Sequence, residues 1–447
     1  MKQSLLTLGI LAALGSPAFA ATPTQDKHIE DLEARIKVLE ANAEAMRQQA
    51  AEALNALQAT RHEIEQLKEA QRTVANEEPP PEPSGAAAAG ANGSAFNPAI
   101  SIILNGQYAH HSLNPNDYVP AGFPLVGEAG PGTQGLSLGE SEIALSASID
   151  EKFYGQLTVA VGTEDGEDAL GIEEAFVDTT ALPAGFTLRA GRFFSNIGYL
   201  NNHHAHTDKF ADRPLAYQAF LGGQYGDDGV QVRWVAPTDM FLELGGEVFN
   251  GQKFPSGGGG HGGAGATTLF AHAGGDIGVE ASWLAGLSML RSKTVSGDDG
   301  FSGDNKLFVA DVTWKWAPQG NTKDGGILVR SEYFLDDRSG QLDDQDNPLL
   351  NQAWVGKRRG MYVEGVYRIN RKWETGYRYD QLWADDRGPY ASEYDPFRHS
   401  LMLTWRNSEF SLVRLQLSRD YPNPVDTDTA VTLQIQTALG AHGAHKY

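Results

Sequence analysis

A chain of 447 residues with 57 acidic and 35 basic side chains carries a formal net charge of −22, which argues against nucleic acid as a partner and gathers cations at the surface. There is no cysteine, so neither disulfides nor thiolate metal ligands enter. Mean hydropathy is −0.36, and beyond the first twenty residues no segment has the unbroken apolar length of a spanning helix; such a composition suits a barrel in which only alternate strand residues meet lipid.

Residues 1–20 read as a secretory signal peptide. Met1-Lys2 supplies the positive start, Leu5 to Leu14 the apolar run and Ala18-Phe19-Ala20 the small-residue cleavage site. A membrane anchor needs about 20 apolar residues, and this run is shorter.

Residues 21–76 predict an α-helical coiled coil. Ile29, Ile36, Ala43, Ala50, Leu57 and Ile64 fall at heptad position a, and Leu32, Leu39, Met46, Ala53, Thr60 and Leu67 at position d. One register kept over six heptads favours self-association over a lone amphipathic helix. Residues 77–95 follow as a linker, Pro-rich from Pro79 to Pro83 and then rich in Ala, Gly and Ser.

Residues 96–447 alternate with period two. Ile143, Leu145 and Ala147 interleave with Glu142, Ala144 and Ser146; Trp373, Tyr377 and Tyr379 interleave with Glu374, Arg378 and Asp380. One face is apolar or aromatic while the other carries charge and amide. Strands are expected to begin near residues 99, 136, 153, 171, 186, 227, 240, 267, 277, 304, 325, 357, 372, 396, 409 and 428. Short connections (150–152, 182–185, 236–239, 275–276, 317–324, 371, 407–408) alternate with long ones (112–135, 164–170, 195–226, 251–266, 294–303, 336–356, 385–395, 421–427). That alternation predicts an all-β transmembrane barrel of about sixteen antiparallel strands with its short turns in the periplasm. An even strand number places both barrel ends on the coiled-coil side. Trp234, Trp314, Trp316, Trp373, Trp383 and Trp405 near strand ends suit interfacial girdles, and a soluble sandwich would not accept so many charges on its inner face.

The polar parity predicts a lumen wall. An acidic arc of Glu140, Glu142, Glu174, Asp178, Glu243 and Glu247, with Arg189 and Arg233 among them, faces a basic arc of Arg330, Arg368, Arg378, Arg398, Arg406 and Arg414. Such arcs produce a transverse field that tunes ion preference. Alternatively these charges pair across strands and rigidify the wall, as Arg330 with Glu332 or Arg368 with Glu364 could.

The third long connection carries His203, His204, His206 and Asp208. Imidazole and carboxylate suit a transition ion such as zinc or copper, and on an extended segment residues 204, 206 and 208 share one side. The plainer reading is solvated loop histidine, of which His110, His111, His261, His442 and His445 supply further examples. No metalloprotease helix, nucleophile elbow or phosphate loop is present, and the adjacent His399-Ser400 would point to opposite faces, so no enzymatic activity is expected.

The run Leu188-Arg189-Ala190-Gly191-Arg192-Phe193-Phe194, then Phe210-Ala211-Asp212-Arg213-Pro214-Leu215, then Gly226-Asp227-Asp228-Gly229-Val230-Gln231-Val232 resembles the strand, inward loop and following strand of porins of the phosphate-selective type. The resemblance extends to the coiled coil, linker and barrel. It implies a homotrimer, passive diffusion and a third loop that narrows the channel, with Lys209 and Arg213 at the pore. Phosphate selectivity in that family rests on a dense lysine and arginine ladder, whereas this loop offers mainly histidine and acid. The expectation is therefore an outer-membrane porin set in lipid and lipopolysaccharide, passing small solutes with a preference for cations or metal ions. Its coiled coil would lie in the periplasm within reach of peptidoglycan. The competing readings are a structural tether to the cell wall and a TonB-type metal receptor, which would require a large plug and 22 strands.

Overall fold

The computed structural model describes Lys37 and residues 98–440, apart from 128, 165–166, 258–263, 296–299, 343–351 and 388–389. The expected signal peptide, coiled coil and linker lie outside the described residues, as do His261, His442 and His445.

The described chain is one antiparallel sheet closed on itself. Its strands are β1 (Ala99–His111), β2 (Gly135–Leu138), β3 (Ser141–Ser148), β4 (Phe153–Glu164), β5 (Glu167–Thr179), β6 (Phe186–Phe194), β7 (Gly226–Val235), β8 (Phe241–Phe249) and β9 (Ala266–Ile277). The second half contributes β10 (Ala281–Thr294), β11 (Phe301–Trp316), β12 (Gly326–Leu342), β13 (Gln352–Arg368), β14 (Trp373–Trp383), β15 (Phe397–Ser408), β16 (Ser411–Tyr421) and β17 (Asp428–Gly440). Pairing of β1 with β17, with Ser101 opposite Gly440, closes the cylinder and leaves no open sheet edge.

β2 and β3 both pair with β1, Leu138 opposite Gly106 and Glu142 opposite Ile103. They are one strand interrupted at Gly139-Glu140, so the barrel has sixteen strands. Glu140, expected on a regular strand face, sits in that interruption.

Burial is inverted relative to a soluble protein. On β12, Ile327, Val329 and Tyr333 are exposed on the outside, whereas Arg330, Glu332, Asp336 and Arg338 are buried inside. All six tryptophans near strand ends take the outward parity. Trp373 stands opposite Trp405, and Phe186 stacks on Trp234 at 6.2 Å between centroids. An apolar outer band with aromatic rims is what a bilayer requires of a barrel surface.

The alternation of short and long connections holds, with corrections of length. The turn expected at 275–276 falls at 278–280, because β9 continues to Ile277. Much of the loops expected at 164–170, 294–303 and 336–356 is strand instead: β4 runs to Glu164 and β5 starts at Glu167, β11 starts at Phe301, β12 runs to Leu342 and β13 starts at Gln352. These strands run on as paired ladders beyond the point where their alternation weakens, since cross-strand hydrogen bonding does not depend on an apolar face.

The hydrophobic core lies inside the cylinder. Residues 195–225, between β6 and β7, contain α1 (Leu215–Leu221), all of whose residues are buried. Pro214 precedes the helix, and Gly222 ends it in the left-handed conformation. Phe220 of α1 stacks on Phe334 at 6.0 Å, Tyr217 meets Phe334 edge-on, and Phe123 from the first long loop meets Phe220 edge-on.

Candidate functional site

Residues 195–225 touch inward-facing side chains on both halves of the barrel, so this third loop lies within the lumen. Asn201 clasps its two ends: its Nδ2 donates to the carbonyls of Ser195 and Tyr225 at 2.8 and 2.7 Å, and its Oδ1 accepts from the Tyr225 N–H at 2.8 Å. On β8, Glu247 accepts from the Ser195 hydroxyl at 2.5 Å and the Asn196 N–H at 2.9 Å.

Glu332 of β12 forms the central anchor. Its carboxylate accepts from the N–H groups of Tyr199 and Leu200 at 2.9 and 3.2 Å and from the hydroxyls of Tyr217 and Tyr362 at 2.9 and 2.7 Å. A buried carboxylate is tolerated when donors converge on it in this way. Gly198, at φ +67°, lets the backbone pass so close that a side chain would overlap Glu332.

The basic arc grips the loop's other flank. Asp212 pairs with Arg378 at 2.9 Å and with Arg398 at 2.8 Å. Arg378 also donates to the Asp212 carbonyl, Arg398 to that of Arg213, and Arg414 to those of Asp208 and Phe210. Asp380 caps α1 by accepting the Leu215 N–H at 2.9 Å. Burial raises the Asp212 carboxyl, but Arg378 and Arg398 outweigh it and hold the group down at about 2.

The two arcs therefore do not face each other across open water. Arg378, Arg398 and Arg414 are at most 4% exposed because the loop lies on them. The suggested pairings of Arg330 with Glu332 and Arg368 with Glu364 are also corrected. Register sets Arg330 opposite Glu364, and they bond at 3.0 Å. Arg368 turns to Glu374 at 3.5 Å, which Arg406 and Lys209 share at 2.9 and 3.6 Å. Arg189 binds Asp178 at 2.7 Å with Arg233 at 3.6 Å, and His272 meets Glu243 at 3.2 Å. The side chains of Arg233, Lys209, Arg368 and Arg406 keep 22–31% of their surface, and Arg233, Arg368 and Arg406 stand near the short turns.

The histidines divide. His203 donates through Nδ1 to the Tyr199 carbonyl at 2.8 Å and stacks on that ring at 4.6 Å. Asp208 binds Arg213 at 2.8 Å, and Arg213 donates to the carbonyls of Leu200 and His203. Both belong to the loop's internal scaffold, so the four-residue set expected from sequence does not assemble. A 3-10 turn at Ala205–Thr207 replaces the extended conformation on which that expectation rested.

His204 and His206 do come together, their rings near-parallel at 5.7 Å, and they face acid. Glu142 bridges them, one oxygen 2.7 Å from His206 Nδ1 and the other 3.2 Å from His204 Nδ1. His204 Nδ1 also lies 3.2 Å from Glu173, and its Nε2 lies 3.0 Å from Glu174. Burial alone would lower the His204 pKa, but hydrogen bonds to these carboxylates hold it well above its ordinary value.

Adjacent residues on a regular strand cannot both point inward. Here the register of β4 and β5 shifts between Thr158 opposite Glu174 and Val159 opposite Ile172. Glu173 is the extra residue of a β-bulge, which turns both carboxylates to the lumen. The break between β2 and β3 brings Glu140 to the same place, where oxygens of Glu140, Glu142 and Glu173 lie within 4.8 Å of one another. Two ionised carboxylates at that separation repel by about 3 kcal/mol at an effective dielectric of ~20, so the cluster calls for protons or a cation. Glu173 escaped the sequence reading; a Glu-Glu pair inside an alternating strand was the only signal. His399 and Ser400 take opposite faces of β15, His399 against Tyr377 outside and Ser400 against Ser418 inside.

No family model matches the chain. An uncharacterized protein of Aquifex aeolicus (strain VF5) is 26% identical over 392 residues, covering 79% of this chain and 80% of that protein. Among solved structures, the anion-selective porin from Comamonas acidovorans aligns with a TM-score of 0.51 and 10% identity, over 77% of this chain and 99% of the porin. The outer membrane channel DcaP of Acinetobacter baumannii aligns at 0.50 and 13%, over 76% and 97%. Pseudomonas putida OprB aligns at 0.50 and 12%, over 77% and 94%. The likeness is one of fold: a closed sixteen-stranded antiparallel barrel matching outer-membrane porins.

Proposed function

We propose that this chain is an outer-membrane porin through which small solutes and ions diffuse passively, with the third loop as its constriction. The observation that carries the reading is a polar, charge-rich inner wall holding an inward loop, inside a cylinder whose outer face is apolar. A barrel serving only as a tether has no use for a lumen built in this way. The same loop resembles the inward loop of phosphate-selective porins. The acidic cluster around His204 and His206 favours cations, or metal ions, at the constriction. A second reading, anion passage, is favoured by the wetted cations Arg233, Lys209, Arg368 and Arg406. Assembly as a homotrimer through the N-terminal heptads, with those heptads in the periplasm, belongs to the same proposal.

Reversal potential across a salt gradient in planar bilayers tests it. Cation preference is the expected result and anion preference would favour the second reading. A chain that inserts without conducting would leave the cell-wall tether as the better account.

A further inference from the structure

We propose that the third loop and the acidic wall together form a site for a first-row transition-metal dication of the zinc class, held by Nδ1 of His204, Nδ1 of His206 and the carboxylate of Glu142, with Glu173 beside His204. The donor set is imidazole and carboxylate, which suits zinc better than the harder magnesium or calcium. Bonds of about 2.0–2.2 Å at a tetrahedral centre set ligand atoms roughly 3.3 Å apart. The contacts of Glu142 with the two imidazoles, 2.7 and 3.2 Å, and of Glu173 with His204, 3.2 Å, all fall somewhat below that separation. A dication could therefore replace the shared protons with small side-chain movement.

The surroundings are those of a metal ligand's supporting shell. With Nδ1 of His204 on the ion, its Nε2–H points at Glu174, 3.0 Å away, the carboxylate–histidine–metal arrangement that fixes tautomer and ring orientation. Glu174 is itself oriented by the Gln156 amide at 3.2 Å. Glu140 adds a further carboxylate beside Glu142 and Glu173, so the charge of a dication is matched by the wall around it. Two separate strand irregularities, the bulge at Glu173 and the break at Gly139-Glu140, are what concentrate these groups.

The proposal rests on the channel reading only for the route by which the ion arrives. The full chain, folded in detergent and stripped with chelator, is titrated with zinc chloride by calorimetry. One zinc per chain is expected. His204→Ala/His206→Ala should weaken binding by 100-fold or more, Glu142→Gln by at least tenfold, and Glu174→Gln by about tenfold or more. His203→Ala should bind as the parent does. Heat-modifiable gel mobility reports that each variant still forms a barrel, and if the double variant does not, the two near-isosteric glutamines decide. Binding undiminished by these changes, as adventitious loop histidines would give, overturns the site, as does the lack of stoichiometric binding. Conductance is read separately: a conducting chain that takes up no zinc sinks the site and spares the channel. A zinc-binding chain that does not conduct does the reverse.

Discussion

The Tyr217 hydroxyl of α1 donates to the Glu332 carboxylate of β12 at 2.9 Å, tying a loop helix to a wall residue 115 positions later in the chain. Glu332 takes three further donors, so Glu332→Gln keeps the shape but weakens every bond of the set. Each charge-assisted bond lost costs about 1–3 kcal/mol where a buried donor is left over. Expected are a lower melting temperature of the detergent-folded barrel and more open-channel noise, with strand content unchanged by circular dichroism. Tyr217→Phe, which removes one donor, should give a smaller effect in the same direction.

Gly198 permits that approach. Its φ of +67° disfavours any residue with a Cβ, and the added methyl would meet Glu332. Strain of roughly 1–3 kcal/mol comes on top of displacing the carboxylate. Gly198→Ala should therefore speed tryptic cleavage within residues 195–225 at least as much as Glu332→Gln does. Equal cleavage of variant and parent would show that the loop does not depend on this contact.

Asp212 gives the basic wall a pH dependence. Its folded-state carboxyl titrates at about 2 because Arg378 and Arg398 outweigh the effect of burial, whereas a free aspartate titrates near ~3.9. A depressed acid contributes stability above its unfolded value and loses it as pH falls through the folded one. Loop seating on β14 and β15 should thus hold at pH 4 and weaken towards pH 2. Single-channel noise recorded over that interval should rise in the parent, and Asp212→Asn should be noisy throughout.

Leu287 and Ser288 on β10 separate the two faces. Leu287 is 67% exposed on the outer surface, while the Ser288 hydroxyl accepts the Gly198 N–H at 2.9 Å. Leu287→Arg should cost about 2–4 kcal/mol if it sits at the bilayer midplane and reduce folding into lipid vesicles. Ser288→Ala should fold into vesicles normally and loosen the third loop instead. Equal vesicle folding of Leu287→Arg and parent would contradict the bilayer placement.

The amino-acid sequence by itself determined the barrel. Alternation with period two, short and long connections in turn, and outward tryptophans follow from a chemistry in which each residue chooses lipid or lumen locally. Sixteen strand positions could therefore be read residue by residue, and the structure departs from them where ladders outlast their alternation and at the break at Gly139-Glu140. The pairing of the charges was only partly legible, since Arg330 meets Glu364 through a register that alternation does not specify. The site was decided by the tertiary structure. A bulge at Glu173 and a break at Gly139-Glu140 reverse the parity of single residues, and a 3-10 turn at 205–207 chooses which histidines share a side. Those choices depend on partners such as Glu142, Glu332 and Arg414, scores to hundreds of positions from the loop they hold, and long-range packing of that kind leaves no periodic trace along the chain.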